Sequence, residues 1–96
     1  MNSFGFSIPR TEPRIRVRLP ARLRFGWNNS EETRATIVDI SERGISVHCK
    51  APLRLGMEVT AILESAPDDV KVYRVVGCHE AESSEHGFDV GLELKP

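Results

Sequence analysis

Twelve consecutive residues, Arg14 to Phe25, alternate between two chemistries. Ile15, Val17, Leu19, Ala21, Leu23 and Phe25 interleave with Arg14, Arg16, Arg18, Pro20, Arg22 and Arg24. A period of two puts the apolar set on one face of an extended strand and the polar set on the other, whereas a helix would scatter both around its axis. The segment therefore demands a sheet with one dry side and one wet side. Pro20 lacks an amide hydrogen, so the strand lies at an edge or carries a bulge there.

The turn chemistry of Gly26-Trp27-Asn28-Asn29-Ser30-Glu31-Glu32 follows, and then a β-branched run from Thr33 to Ile40, which together predict a hairpin. Further strands are expected at Ile45 to Cys49, Met57 to Leu63, Val70 to Cys78 and Phe88 to Leu94, separated by Pro52 to Gly56, Ser65 to Asp69 and Glu80 to Gly87. No segment reads as an amphipathic helix. Six short strands with polar connections argue for an all-β barrel or sandwich. With 96 residues, 40% of them hydrophobic, the chain suits one core and has no room for a second. Residues 1–13, punctuated by Gly5, Pro9 and Pro13, show no period and are expected to form a flexible N-terminal arm, with a single domain over 14–96. Phe4, Phe6 and Ile8 in that arm suggest docking on a partner or on a second copy, so either a monomer or a homodimer is consistent with the sequence.

The net charge of −1 conceals a division. Residues 1–24 hold six arginines against Glu12 alone, while the remainder holds seven basic and thirteen acidic side chains. Arginine's planar fork matches phosphates and the acceptor edge of guanine, so an anionic partner is expected at the amino-terminal end. One form of that partner is RNA or DNA, and another reading is a protein adaptor with no small ligand. Against nucleic acid, the aromatics Trp27, Tyr73 and four phenylalanines do not interleave with the arginines as a base-stacking platform requires. Arg22 and Arg24 are expected to be solvated exterior.

Cys49 and Cys78 lie far apart, no signal-peptide pattern is present and no apolar run approaches membrane-spanning length, so a cytoplasmic protein without membrane insertion is expected. His48-Cys49 and Cys78-His79 are adjacent pairs. Strand neighbours point to opposite faces and cannot chelate one ion, so no metal site is expected and the cysteines are assigned to the core. Nothing arranges a serine, a histidine and an aspartate as a triad, which argues against an enzyme. Trp27 reads either as an exposed partner anchor or as a cap on the barrel end.

The stretch Asp39-Ile40-Ser41-Glu42-Arg43-Gly44-Ile45-Ser46-Val47 joins two apolar runs. As a plain turn, Asp39 and Ser41 would accept or donate to nearby backbone and Gly44 would supply a positive φ. Hairpin geometry adds a second reading. If the chain folds back between Gly26 and Ser30, the residue opposite Arg14 falls between Asp39 and Arg43, because antiparallel pairs keep a constant sum. Arg10 and Arg14 then lie beside Asp39, Ser41 and Gly44.

Arg10 to Arg14 spells Arg-x-x-x-Arg, and Asp39 to Gly44 spells Asp-x-Ser-x-x-Gly. In this order, with the apolar strand after the second arginine, the passage Pro52 to Val59 and the closing Gly87 to Leu94, the chain resembles the PilZ domain family. The resemblance implies a six-stranded antiparallel β-barrel that receives the bacterial second messenger cyclic di-GMP and has no catalytic role or other cofactor. It assigns ligand contacts to Arg10, Arg14, Asp39, Ser41 and Gly44, with Arg16 and Arg43 as additional candidates. It also implies a protein effector and an output such as motility, exopolysaccharide synthesis or virulence.

Overall fold

A computed structural model describes residues 13–81 and 86–95. Six strands form a closed antiparallel barrel: β1 (Arg14–Phe25), β2 (Glu31–Ser41), β3 (Gly44–Cys49), β4 (Glu58–Leu63), β5 (Ala66–Glu80) and β6 (Phe88–Leu94). Their order around the barrel is β1-β2-β3-β6-β5-β4. Closure gives every strand a neighbour on both sides over at least part of its length, which limits the open edges that would otherwise invite pairing with other chains. No helix among the described residues is long and apolar enough to cross a membrane.

The expected alternation is obeyed where the barrel is complete. Ala21, Leu23 and Phe25 point inward and are buried with Ile37, Val47, Val59, Val75, Val90 and Leu92. Burying one such aliphatic side chain contributes about 1.5–3 kcal/mol. Nearer the start of β1 the inward face is less covered, and Ile15 is 65% exposed. The reason is topological: β4 pairs with β1 only over Ala21–Arg24, so the first half of β1 has β2 alone as a neighbour. Pro20 sits at that border, where its missing donor costs no ladder bond with β4, and its carbonyl accepts the amide of Glu64 at 3.2 Å. A bulge also falls just before it, between Arg16 and Leu19.

Two expectations need correction. Ser65 to Asp69 is not a connection: β4 turns into β5 through Glu64 and Ser65, with Leu63 opposite Ala66. The polar residues Pro67 to Asp69 that suggested a loop form a wide irregularity in β5, after which Val70 pairs with Ile62. Trp27 does not cap the barrel; it is 85% exposed on a single 3-10 turn, Trp27–Asn29. Gly26, Asn28 and Asn29 all take positive φ there, the conformation that glycine and asparagine tolerate best.

Cys49 is buried and Cys78 packs against the same core. The Cys49 thiol donates to the Ala51 carbonyl at 3.3 Å, and burial pushes its pKa up to about 11, so it stays protonated and packs as a small apolar group. Burial likewise raises the Tyr73 hydroxyl, with Asp69 adding in the same direction.

Candidate functional site

The β1–β2 register sets Arg14 opposite Ser41 and Arg16 opposite Asp39. Directly opposed residues project to the same face of a sheet. Strict alternation along β2 would nevertheless turn Asp39 inward, in phase with the buried Ala35 and Ile37. An extra residue prevents this. Where β2 pairs with β3, Ile37 faces Val47 and Asp39 faces Ser46, so Val38 is bulged and the phase reverses. Ile40 now meets the buried Ile45, and Asp39 turns outward. In β1, Val17 and Arg18 together oppose Val38, which keeps Arg16 in step with the carboxylate.

The outward row continues across the barrel. Ser46 pairs with Gly91, and Gly91 pairs with Gly77 in β5. Both glycines are buried, and neither has a side chain to stand above the surface. One end of the row therefore carries guanidinium groups, the middle a carboxylate and a hydroxyl, and the far end bare backbone. Sequence reasoning did not single out Gly77 and Gly91, although a glycine inside a strand is itself a sign of close backbone approach.

The turn below this row has its own structure. Ser41 Oγ donates to the Gly44 carbonyl at 3.3 Å, which is the local role expected of a turn serine. Asp39 behaves otherwise: it lies within β2, and no hydrogen bond or ion pair engages its carboxylate among the described residues. Gly44 requires a correction, because its φ is not positive. It is needed for space, since a Cβ at this position would stand 2.1 Å from the carbonyl oxygen of Leu92 on β6. The backbone of the turn is tied to β6 as well, with the Leu94 amide donating to the Arg43 carbonyl at 2.6 Å. The Arg43 side chain is exposed at the tip. Arg10 lies outside the described residues.

Charge pairing separates the arginines. Arg24 Nε meets Glu32 Oε1 at 2.9 Å, and Arg22 approaches the same carboxylate at 3.8 Å. Arg14, half-buried, and Arg16, exposed, have no ion pair among the described residues. Arg16 and Asp39 face each other across the ladder without joining. The site thus presents unpaired donors and an unpaired acceptor side by side, a combination suited to a ligand with both phosphates and base edges. The neighbours His48 and Cys49 diverge: His48 turns outward, its Nδ1 3.1 Å from Asp89 Oδ1, while Cys49 turns into the core.

No curated protein matches the chain. A family model does, described as the PilZ domain and covering residues 9–96, a span that takes in both arginines of the first motif and the whole barrel. With that match and the closed six-stranded barrel on which Arg14 meets the second motif, the chain belongs to the PilZ domain family, a cyclic di-GMP-binding type of receptor domain rather than a catalytic one.

Proposed function

We propose that the protein is a cyclic di-GMP receptor whose ligand lies on the outer face of β1, β2 and β3, held by Arg10, Arg14, Asp39, Ser41 and the backbone at Gly44, with Arg16 and Arg43 at the margins. The observation that carries this reading is the register placing Arg14 opposite Ser41 and Arg16 opposite Asp39, with Arg14, Arg16 and Asp39 all unpaired among the described residues. The ligand offers two phosphodiesters and two guanines. Guanidinium groups meet phosphate oxygens and the O6/N7 edge of guanine two at a time, and stack on a base face. Neither contact serves guanine's N1 and N2 donors. Asp39, acceptor-only when ionised, does.

Four or five charge-assisted contacts, each contributing about 1.5–3 kcal/mol net, exceed the roughly 8.2 kcal/mol of a micromolar complex. Ordering the backbone between Arg10 and Pro13 around the ligand opposes this by about 1–2 kcal/mol per residue, which sets the expectation at micromolar affinity. The same ordering supplies a switch. An arm that closes on the nucleotide alters the surface offered to a protein effector, and ligand concentration selects between two states without any bond being made or broken. Regulation of motility, exopolysaccharide synthesis or virulence in the bacterial cytoplasm is the setting in which such a receptor operates.

Isothermal titration calorimetry with cyclic di-GMP, with linear GMP as control, tests the reading. Saturable micromolar heat for the cyclic compound alone is the expected result, and no heat at millimolar ligand would refute the assignment. The nucleic-acid alternative is weakened by the commitment of Arg22 and Arg24 to Glu32.

A further inference from the structure

Ser46 stands on the site's own row, yet neither motif includes it. It lies between Asp39 on β2 and Gly91 on β6, and its side chain shares their outward face. It is only 4% exposed, a small polar side chain buried where the other buried residues among those described are apolar or, in Tyr73, largely so. Its hydroxyl is fully buried and has no hydrogen-bond partner among the described residues. A buried, unpaired hydroxyl costs about 1–3 kcal/mol, so such groups are rare and call for a cause. Gly91 offers no side chain on one flank. On the other flank the polar group within reach is Asp39, whose carboxylate is itself unpaired among the described residues. Opposed residues in an antiparallel ladder hold their Cβ atoms about 4.5–5.5 Å apart, close enough for a rotamer change to join hydroxyl and carboxylate.

We propose that Ser46 is a positioning residue for guanine recognition: when nucleotide binds, its hydroxyl donates to the Asp39 carboxylate and fixes the orientation that receives the base. This rests on the cyclic di-GMP reading above. An ionised carboxylate has about four lone-pair sites, so it can take N1–H and N2–H from guanine while accepting a third hydrogen bond from Ser46. Adenine presents an acceptor at N1 and no amino group at C2, and a carboxylate locked in this orientation disfavours it. The pair therefore acts on base selectivity more than on phosphate binding. A hydroxyl left unsatisfied in the free protein gains its partner only in the complex, so its contribution falls entirely on the bound state.

The test is a double-mutant cycle on the full chain with Ser46→Ala and Asp39→Ala, titrated with cyclic di-GMP and cyclic di-AMP. Ser46→Ala removes an unpaired hydroxyl without adding volume, so thermal stability is expected to be unchanged or higher. Its affinity for cyclic di-GMP should fall about tenfold, with the preference over cyclic di-AMP shrinking by a similar factor. In the Asp39→Ala background the same substitution should change nothing, because the group it acts through is gone. Ser46→Thr, which keeps the hydroxyl, should retain most of the selectivity. Unchanged affinity and selectivity in a folded Ser46→Ala protein would overturn the proposal, as would a loss that persists in full without Asp39. If the unaltered protein binds neither dinucleotide, the receptor reading itself fails, and that result is visible before any variant is compared.

Discussion

Arg14 and Arg16 stand in the first half of β1, Arg22 and Arg24 in the second, on the same repeating pattern and the same outward face. The second half pairs with β2 on one side and β4 on the other; the first half pairs with β2 alone. Glu32 pairs with both guanidinium groups of the second half, while those of Arg14 and Arg16 meet no carboxylate among the described residues. The inward residues differ in the same sense, from Leu23, which is completely buried, to Ile15, which is mostly exposed. One strand thus does two jobs: its second half builds the barrel, and its first half extends past the barrel wall to present charge. Alternation alone sets the strand; what lies opposite each residue decides its role.

The largest expected effect concerns that division of labour. Leu23→Ala should lower unfolding free energy by about 2–5 kcal/mol through lost burial and a residual cavity. Ile15→Ala, on the same nominal face, should stay within about 0.5 kcal/mol, as exposed substitutions do. Urea denaturation of both variants measures the contrast, and equal losses would mean that the first half is as deeply packed as the second.

Next in size is Gly44→Ala, which probes the seam beneath the charged half. A Cβ directed at the Leu92 carbonyl cannot be absorbed by a flexible side chain, because the obstacle is backbone. Separation of β3 from β6 at this point should cost up to about 3 kcal/mol. It should also disturb the row from Arg16 to Gly77, so nucleotide affinity falls with stability. A fully stable Gly44→Ala protein would show that the seam yields more readily than its geometry implies.

Much of this was legible from the chain. The run from Arg14 to Phe25 has only one period, so the strand and its start follow directly, and the hairpin sum rule brings Arg14 to Ser41 within its stated window. The all-β class with six strands follows from the same regularity, whereas that pattern suits a sandwich as well as a barrel, and the closed barrel is what the family resemblance implies. What could not be read is where regularity fails. Pro20 hints at the bulge in β1, but the one at Val38 has no glycine or proline beside it, and it is the one that turns Asp39 outward. The polar run at Pro67 to Asp69 looks like a loop because proline and aspartate favour one, and tertiary pairing with β4 overrides that preference. For Gly44 the plain-turn reading expects a positive φ, whereas the position requires clearance from a strand nearly fifty residues away in sequence, a contact that no local pattern encodes.

The contrast between the arginines themselves is sharpened by binding rather than by folding. Arg14→Ala should weaken cyclic di-GMP binding by about 2 kcal/mol, roughly thirtyfold, while leaving the unfolding midpoint in place. Arg10→Ala should do the same. Arg22→Ala, chemically the same change eight residues along, should leave the dissociation constant unaltered. Calorimetry on the three variants decides it. A comparable loss in Arg22→Ala would extend the ligand face along the whole strand and erase the distinction between its halves.

The smallest effect belongs to the ion pairs that make the second half look occupied. Arg24 and Glu32 are 47% and 41% exposed in their side chains, so solvent screens their attraction and holding two long side chains in one geometry offsets part of the gain. Arg24→Ala should therefore cost only about 0.2–1 kcal/mol, and raising the salt toward molar concentration, where the screening length contracts to about 3 Å, should bring variant and parent together. Glu32→Ala provides the more telling version. It frees Arg22 and Arg24 at a stroke, giving the second half the same unpaired guanidinium groups as the first. If cyclic di-GMP still binds with unchanged stoichiometry, unpaired charge is not sufficient to make a site. The outward carboxylate of Asp39 and the glycine floor, both absent beside Arg24, are then what distinguish the two halves.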